Sequence, residues 1–202
     1  MKNSFEKIFN LNTTEKTVRE EALEIIIVSD NHSEKNGLVK VLAHHTSADY
    51  FLHCGDSNLE ADLDLMRPFI TVRGNTDFWQ DYPNDEKIKL ATGEQIWMTH
   101  GHRFSVNGGT DKLLMKAKKM SRIPAIILYG HTHKVDVNMQ EDILIINPGS
   151  IALPRDGYRC TYARLRITPG CYEVQILDIS DHVPIKEFQF PRSHDHERQV
   201  PL

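Results

Sequence analysis

Cysteine is scarce in this chain. Three residues among 202 cannot build a disulfide framework, and their positions argue against a single bridge. Cys160 and Cys171 flank an apparent hairpin, "RLRITPGCYEV"; a turn at Pro169 and Gly170 sets Cys171 opposite Thr168 and leaves Cys160 several residues away. Cys54 ends the apolar run "YFLHC" and reads as a small buried core thiol. Three free thiols in a reducing, cytoplasmic setting are expected. Long apolar runs are missing as well: none approaches the roughly 18 residues needed to cross a bilayer, so no membrane partner is expected. Basic excess is missing too. With 24 Lys and Arg against 28 Asp and Glu, the net charge of -4 gives no electrostatic footprint for nucleic acid.

Internal repeats and linkers are likewise lacking, and the length suits one domain with a substantial core. Residues 1–22, "MKNSFEKIFNLNTTEKTVREEA", mix acids with bases and hold no apolar segment of the kind a secretory signal requires. Phe5, Ile8 and Phe9 are helically spaced, so a helical extension or arm is expected there. The domain is expected over 23–190. Residues 191–202, "PRSHDHERQVPL", have no apolar face and read as a flexible tail.

What the chain does hold is an alternation. "LEIIIVS", "SEKNGLVKVLAHH", "ADYFLH", "LEADLDLM" and "FITVRG" follow one another in βαβαβ order, which predicts an α/β fold with a largely parallel sheet covered by helices. Apolar runs continue in "EQIWMTH", "AIILYG" and "DILIIN", with a helix expected from about Asp111 to Met120. From Tyr158 the pattern turns to an antiparallel meander, "CTYARLRI", "CYEVQILDI" and "PIKEFQF".

Five of these runs end in residues able to bind a metal: Asp30 with His32, Asp56, Asn75, His100, and His131 with His133. In open α/β sheets the carboxyl ends of neighbouring strands converge on one crevice, so seven polar side chains would share a rim. Asp30 and His32, like His131 and His133, are two residues apart and would face the same way in extended backbone. Any one of them alone would read as a turn or a surface residue; core filling does not explain the set. The donors are all oxygen and nitrogen, a mixture that suits Mn, Zn, Fe, Ni or Co, with manganese favoured here. If one carboxylate bridges two divalent ions, seven side chains supply eight bonds, four to each, which is the layout of a two-metal hydrolytic site. His44, His45, His182, His194 and His196 lack that context and read as solvated or capping residues. His53 reads as a supporting or core histidine, and His102 stays open.

The elements "DNH" (30–32), "GD" (55–56), "GNTD" (74–77), "THG" (99–101), "GHTH" (130–133) and "NPGS" (147–150) together resemble the calcineurin-like metallophosphoesterase superfamily. They are most similar to its small bacterial and archaeal phosphodiesterase branch of the YfcE type. The resemblance covers roughly 24–190 and implies a four-layer αββα sandwich with two facing mixed sheets. It implies Asp30, His32 and His133 on one metal, Asn75, His100 and His131 on the other, and Asp56 between them. Asn75 would then be both ligand and catalytic residue. A metal-bridging hydroxide would attack a small phosphodiester or nucleotide-like substrate directly, without a protein nucleophile.

The chain departs from many members of the superfamily at Thr76, where they carry a histidine beside the metal-binding asparagine. A threonine hydroxyl is no useful acid near neutral pH, so activated diesters with good leaving groups should turn over best. Asp77 is expected to cap the following turn rather than orient Thr76. Pro148 and Gly149 are expected to close the site, with Ser150 bonded to a supporting histidine. Arg103 and Arg155 read as surface residues. Rival readings are a protein-binding scaffold like the retromer subunit of this fold, a phosphomonoesterase or protein phosphatase, and a nuclease, the last disfavoured by the charge. Self-association into a homo-oligomer is compatible with all of these.

Overall fold

The structure is a computed structural model that describes residues 22–78, 81–157 and 159–192. The expected arm lies outside the described residues except for Ala22, and so does the tail except for Pro191 and Arg192. Eleven strands form two mixed sheets. The first sheet holds β1 (Leu23–Val28), β2 (Tyr50–His53), β3 (Phe69–Thr71), β9 (Thr161–Ile167), β10 (Cys171–Asp178) and β11 (Pro184–Pro191), in the order β11-β10-β9-β1-β2-β3. The second holds β4 (Asp85–Lys89), β5 (Gln95–Thr99), β6 (Ile126–Leu128), β7 (Val135–Gln140) and β8 (Ile143–Pro148), in the order β4-β5-β6-β8-β7. Strands β1, β2 and β3 run parallel, as do β5, β6 and β8; the outer strands pair antiparallel.

Strand alternation explains the layering. In β1, Ile25 and Ile27 point into the space between the sheets, where Ile96, Met98, Ile126, Leu128, Leu144 and Ile146 of the second sheet meet them. Ile26 and Val28 point the other way, onto Leu38 and Val41 of α1 (Asn36–His44). Across the molecule Trp97, Ile127 and Ile145 face outward onto Leu113, Leu114 and Ala117 of α2 (Asp111–Ala117). Residues on both faces of the central parallel strands are therefore buried, which is why those strands read as unbroken apolar runs. The four layers are α1, first sheet, second sheet and α2, with helices covering only part of each outer face.

Two expectations are corrected. "LEADLDLM" is not a helix: Leu63, Met66 and Phe69 donate to the carbonyls of Glu60, Leu63 and Met66, a succession of i to i−3 turns. Asp62 and Asp64 favour local backbone bonding over the helical ladder, and Pro68 stops it, while Leu59 and Met66 still reach the core under α1. The second helix ends at Ala117, with Lys119 and Met120 carried on by further turns. At the β9–β10 hairpin Cys171 does face Thr168, whose N–H donates to the Cys171 carbonyl at 3.0 Å. All three cysteines are free thiols, Cys54 fully buried.

Candidate metal centre

The six parallel strands point their carboxyl ends at one edge of the sandwich. β1 delivers Asp30 and His32, β2 Asp56, β3 Asn75, β5 His100, and β6 both His131 and His133. All seven sequence-predicted residues are brought together there. Asp30 Oδ1 lies 3.2 Å from His133 Nε2, and His32 Nε2 lies 3.1 Å from His133 Nε2. Asp56 Oδ2 stands 3.9 Å from His32 Nε2 on one side and 3.3 Å from His100 Nε2 on the other. Asn75 Oδ1 is 3.2 Å from His100 Nε2 and 2.8 Å from His131 Nδ1. Two groups of donors therefore share Asp56.

The pairs Asp30/His32 and His131/His133 do not converge through extended backbone, as the sequence suggested. Asp30 (φ 58°), His32 (φ 45°), Asp56 (φ 54°), His131 (φ 69°) and His133 (φ 57°) all occupy the left-handed region. Each costs on the order of 1–2 kcal/mol in a residue with a Cβ, a strain that persists only where the surroundings dictate it. The surroundings here are tight. A Cβ on Gly74 would overlap the Asp56 carboxylate and backbone N, and one on Gly130 would overlap Ser29 Oγ and stand 2.8 Å from Asp30 Oδ2.

The imidazoles are held so that particular nitrogens face inward. Carbonyl oxygens only accept, so His100 Nδ1 donates to the Cys54 carbonyl (2.7 Å), His133 Nδ1 to that of Leu153 (2.6 Å), and His32 Nδ1 to Asn58 Oδ1 (3.2 Å). Their Nε2 lone pairs are left facing the carboxylates and each other. Two such lone pairs 3.1 Å apart, beside a buried Asp30 Oδ1 with no hydrogen-bond partner, repel unless positive charge lies among them. Burial alone would lower the pKa of His100 and raise that of Asp56; the hydrogen bond that Nε2 makes to Asp56 once His100 is protonated reverses both shifts, raising His100 and holding Asp56 far below the carboxylate range. His133 is raised in the same way, with Asp30 overcoming burial. The donor set thus fits divalent cations: Asp30, His32, Asp56 and His133 satisfy the spacing of a metal-binding group, as do His44, His45 and His182 elsewhere.

Several supporting residues differ from expectation. The Asp77 carboxylate accepts the N–H groups of Asp56 (2.8 Å), Gly74 (2.8 Å) and Asn58 (2.6 Å), tying the 55–58 loop to the 74–77 loop; residues 79 and 80 of the turn it was expected to cap lie outside the described residues. Ser150 does not touch a histidine side chain. It donates to the Asp30 carbonyl (2.8 Å) and accepts from Leu153 N–H (2.7 Å), so it places the carbonyl that orients His133. His53 supports the site as expected, accepting from Gly55 N–H and donating to Asn31 Oδ1 (2.8 Å), its pKa pushed down to about 4 by burial. His102 sits 5.5 Å, ring to ring, from His100, with a buried, unpartnered Nδ1. Arg103 and Arg155 are exposed. Sequence reasoning missed Asn58, whose only signal is its place two residues after Asp56. It also missed Asn107, whose Nδ2 lies 3.2 Å from His131 Nε2.

Of the histidines set aside in the sequence, His194 and His196 lie outside the described residues, and His45 is buried, not solvated or capping as expected. His44, His45 and His182 gather where the end of α1 meets the first sheet, with the buried Tyr162 hydroxyl between His45 Nε2 (2.9 Å) and His182 Nδ1 (2.8 Å). That hydroxyl has one hydrogen to give, so the two rings must supply one acceptor and one donor. This hydrogen-bonded chain keeps His45 buried.

Residues 23–170 match the family model for the calcineurin-like phosphoesterase superfamily domain. The chain belongs to that family. It is 31% identical over 157 residues, 77% of its own length and 91% of the relative's, to a Bacillus subtilis protein named "probable metallophosphoesterase YsnB". It is 24% identical over 149 residues, 70% of this chain and 71% of the relative, to the phosphodiesterase YfcE of Escherichia coli. Among solved structures, a Streptococcus pneumoniae protein described as a predicted phosphoesterase superposes with TM-score 0.78 at 33% identity, covering 85% of this chain and 98% of that one. The expected metallophosphoesterase fold and branch are borne out.

Proposed function

We propose that the protein is a phosphodiesterase that hydrolyses small phosphodiesters with the help of two divalent transition-metal ions, manganese foremost. The observation that carries this reading is the position of Asp56, whose carboxylate stands between His32 on one side and His100 on the other and so can serve both donor groups. Asp30, His32 and His133 would hold one ion, Asn75, His100 and His131 the other, and Asp56 both. When bound, such a pair supplies Lewis acidity toward a phosphoryl oxygen and lowers the pKa of water to about 7.

The chain's own residues do the rest. Asp77, Asn58 and Ser150 fix the ligand-bearing loops, so the donors do not have to reorganise when charge develops on the phosphoryl group. The two hydroxyls described next to the donors are already engaged: Ser29, fully buried, donates to Asp30 Oδ2 at 2.5 Å, and Thr76 Oγ1 donates to Asn58 Oδ1 at 3.1 Å. Without an acid there, departure of the alcohol depends on its own acidity, which favours aryl and other activated diesters over monoesters. A pure scaffold would not need to preserve seven donors and pay for five left-handed residues to place them.

Metal analysis followed by assays on aryl phosphodiester and monoester substrates tests the reading. Wild type should show metal-dependent turnover favouring the diester, and Asp56→Asn and Asn75→Ala should each lose at least about a hundredfold in kcat/KM. No turnover with any divalent ion would sink it; preference for the monoester would replace it with a phosphomonoesterase.

A further inference from the structure

We propose that the cleft leading from the metal centre along β7 binds the alcohol arm that stays on the phosphate, and that this arm is a sugar or comparable polyhydroxyl group. The inference rests on the phosphodiesterase reading above and adds a substrate class to it. The cleft, of about 410 Å³, lies between β7 and residues 106–110, a size in the range of small-molecule sites. Two of its lining residues belong to the rim of the metal centre. Asn107 touches His131, and Thr132 sits between His131 and His133, so a phosphate at the centre would extend its arm into this space.

The chemistry of the walls selects the arm. β7 turns Val135, Val137 and Met139 toward the core and lines up Asp136, Asn138 and Gln140 on the opposite face. Asn138 Nδ2 donates to Asp136 Oδ1 (2.7 Å), and Gln140 Nε2 donates to Asn138 Oδ1 (2.8 Å) and to Thr110 Oγ1 (3.2 Å). In that ladder Asn138 spends one of its two amide hydrogens, and the Gln140 carbonyl oxygen accepts none. A strand of side-chain amides with spare donors and acceptors suits vicinal hydroxyls.

Two other classes fit poorly. Lys134 and Asp136 are the charged groups lining the cleft, and they cancel, so a diphosphate would meet too little positive charge. A nucleobase would want an aromatic face, but Tyr129 is only 3% exposed and its hydroxyl is bound to Asp136 Oδ2 at 2.6 Å.

Three diesters with the same p-nitrophenyl leaving group isolate the arm: glucose 6-(p-nitrophenyl phosphate), thymidine 5′-(p-nitrophenyl phosphate) and bis(p-nitrophenyl) phosphate. With manganese present, the glucose diester should exceed the thymidine diester in kcat/KM by about tenfold or more. Asn138→Leu should erase that preference, chiefly through KM, and Gln140→Met repeats the test should the first variant fail to show a folded melting transition. Turnover without preference for the glucose arm, or a preference that survives in a folded variant, overturns this inference alone. No turnover of any of the three by wild type overturns it together with the phosphodiesterase reading.

Discussion

Asn58 joins Thr76 to His32. Its Oδ1 accepts from both His32 Nδ1 (3.2 Å) and Thr76 Oγ1 (3.1 Å), and its own N–H is held by Asp77. The side chain therefore decides which nitrogen of His32 carries the hydrogen, and so which one faces the centre. Asn58→Leu leaves that ring free to turn. The expected outcome is a 10- to 100-fold weaker affinity for one of two ions in a metal titration, the usual scale for such a loss, with the other ion little affected. Asn58→Asp keeps the acceptor oxygen and should largely restore the affinity. Equal weakening at both ions would show that Asn58 acts on the whole loop instead. The gathering of seven donor side chains was legible in the sequence because each follows an apolar run; Asn58 was not, because a serine and an asparagine after "GD" look like any turn. Asp77 misled for a related reason. Aspartate usually bonds its nearest backbone, and this one, besides the nearby Gly74 N–H, bonds a loop that is distant in sequence, where only the fold brings the N–H groups to it.

At the scale of elements, the βαβαβ opening and the late meander were readable because buried parallel strands and alternating hairpins leave different patterns. The division into two sheets was not readable from the residues and came only with the family resemblance. Strands β4 and β7 carry charged and amide residues on exposed faces, so nothing in "DEKIK" or "VDVNMQ" announces a partner strand. The loops were misread in a more instructive way. Spacing two residues apart correctly paired the ligands, but the pairs close through left-handed turns packed against glycines, not along a strand. Gly74→Ala tests this packing. Its Cβ would have to displace Asp56, so the variant should lose metal affinity at both ions by more than about tenfold, since Asp56 belongs to both groups. A melting temperature within a few degrees of wild type would place the damage in the loop rather than the fold. Unchanged metal binding would mean that the 55–58 and 74–77 loops separate at little cost.

Across the molecule, histidines concentrate at the metal end and at the far end of α1, and they respond to acid for different reasons. At the metal end carboxylates attract positive charge. At the far end burial, helped by His44, Arg164 and His182, pushes His45 down to about 4, and burial and His44 lower His182 as well. Glu24 Oε1, 3.6 Å from His45 Nδ1, does not offset that burial. Linkage fixes the sign. An unfolded histidine takes up its proton near pH 6.5 while folded His45 refuses it until about 4, so the unfolded state binds more protons in that window and stability falls as pH falls through it. Above about 6.5 both states are neutral and the contribution is complete. His45→Gln can still bond the Tyr162 hydroxyl but cannot titrate. In urea unfolding it should lose part of the pH dependence of wild type, the difference between the two proteins shifting in the variant's favour by about 2 kcal/mol between pH 7.5 and pH 4.5. Comparing the pair at each pH cancels the histidines of the metal centre, which both proteins share. A difference that stays constant with pH would show that His45 takes up its proton as readily in the folded protein as in the unfolded one, and that the chain through Tyr162 accommodates a proton instead of excluding one.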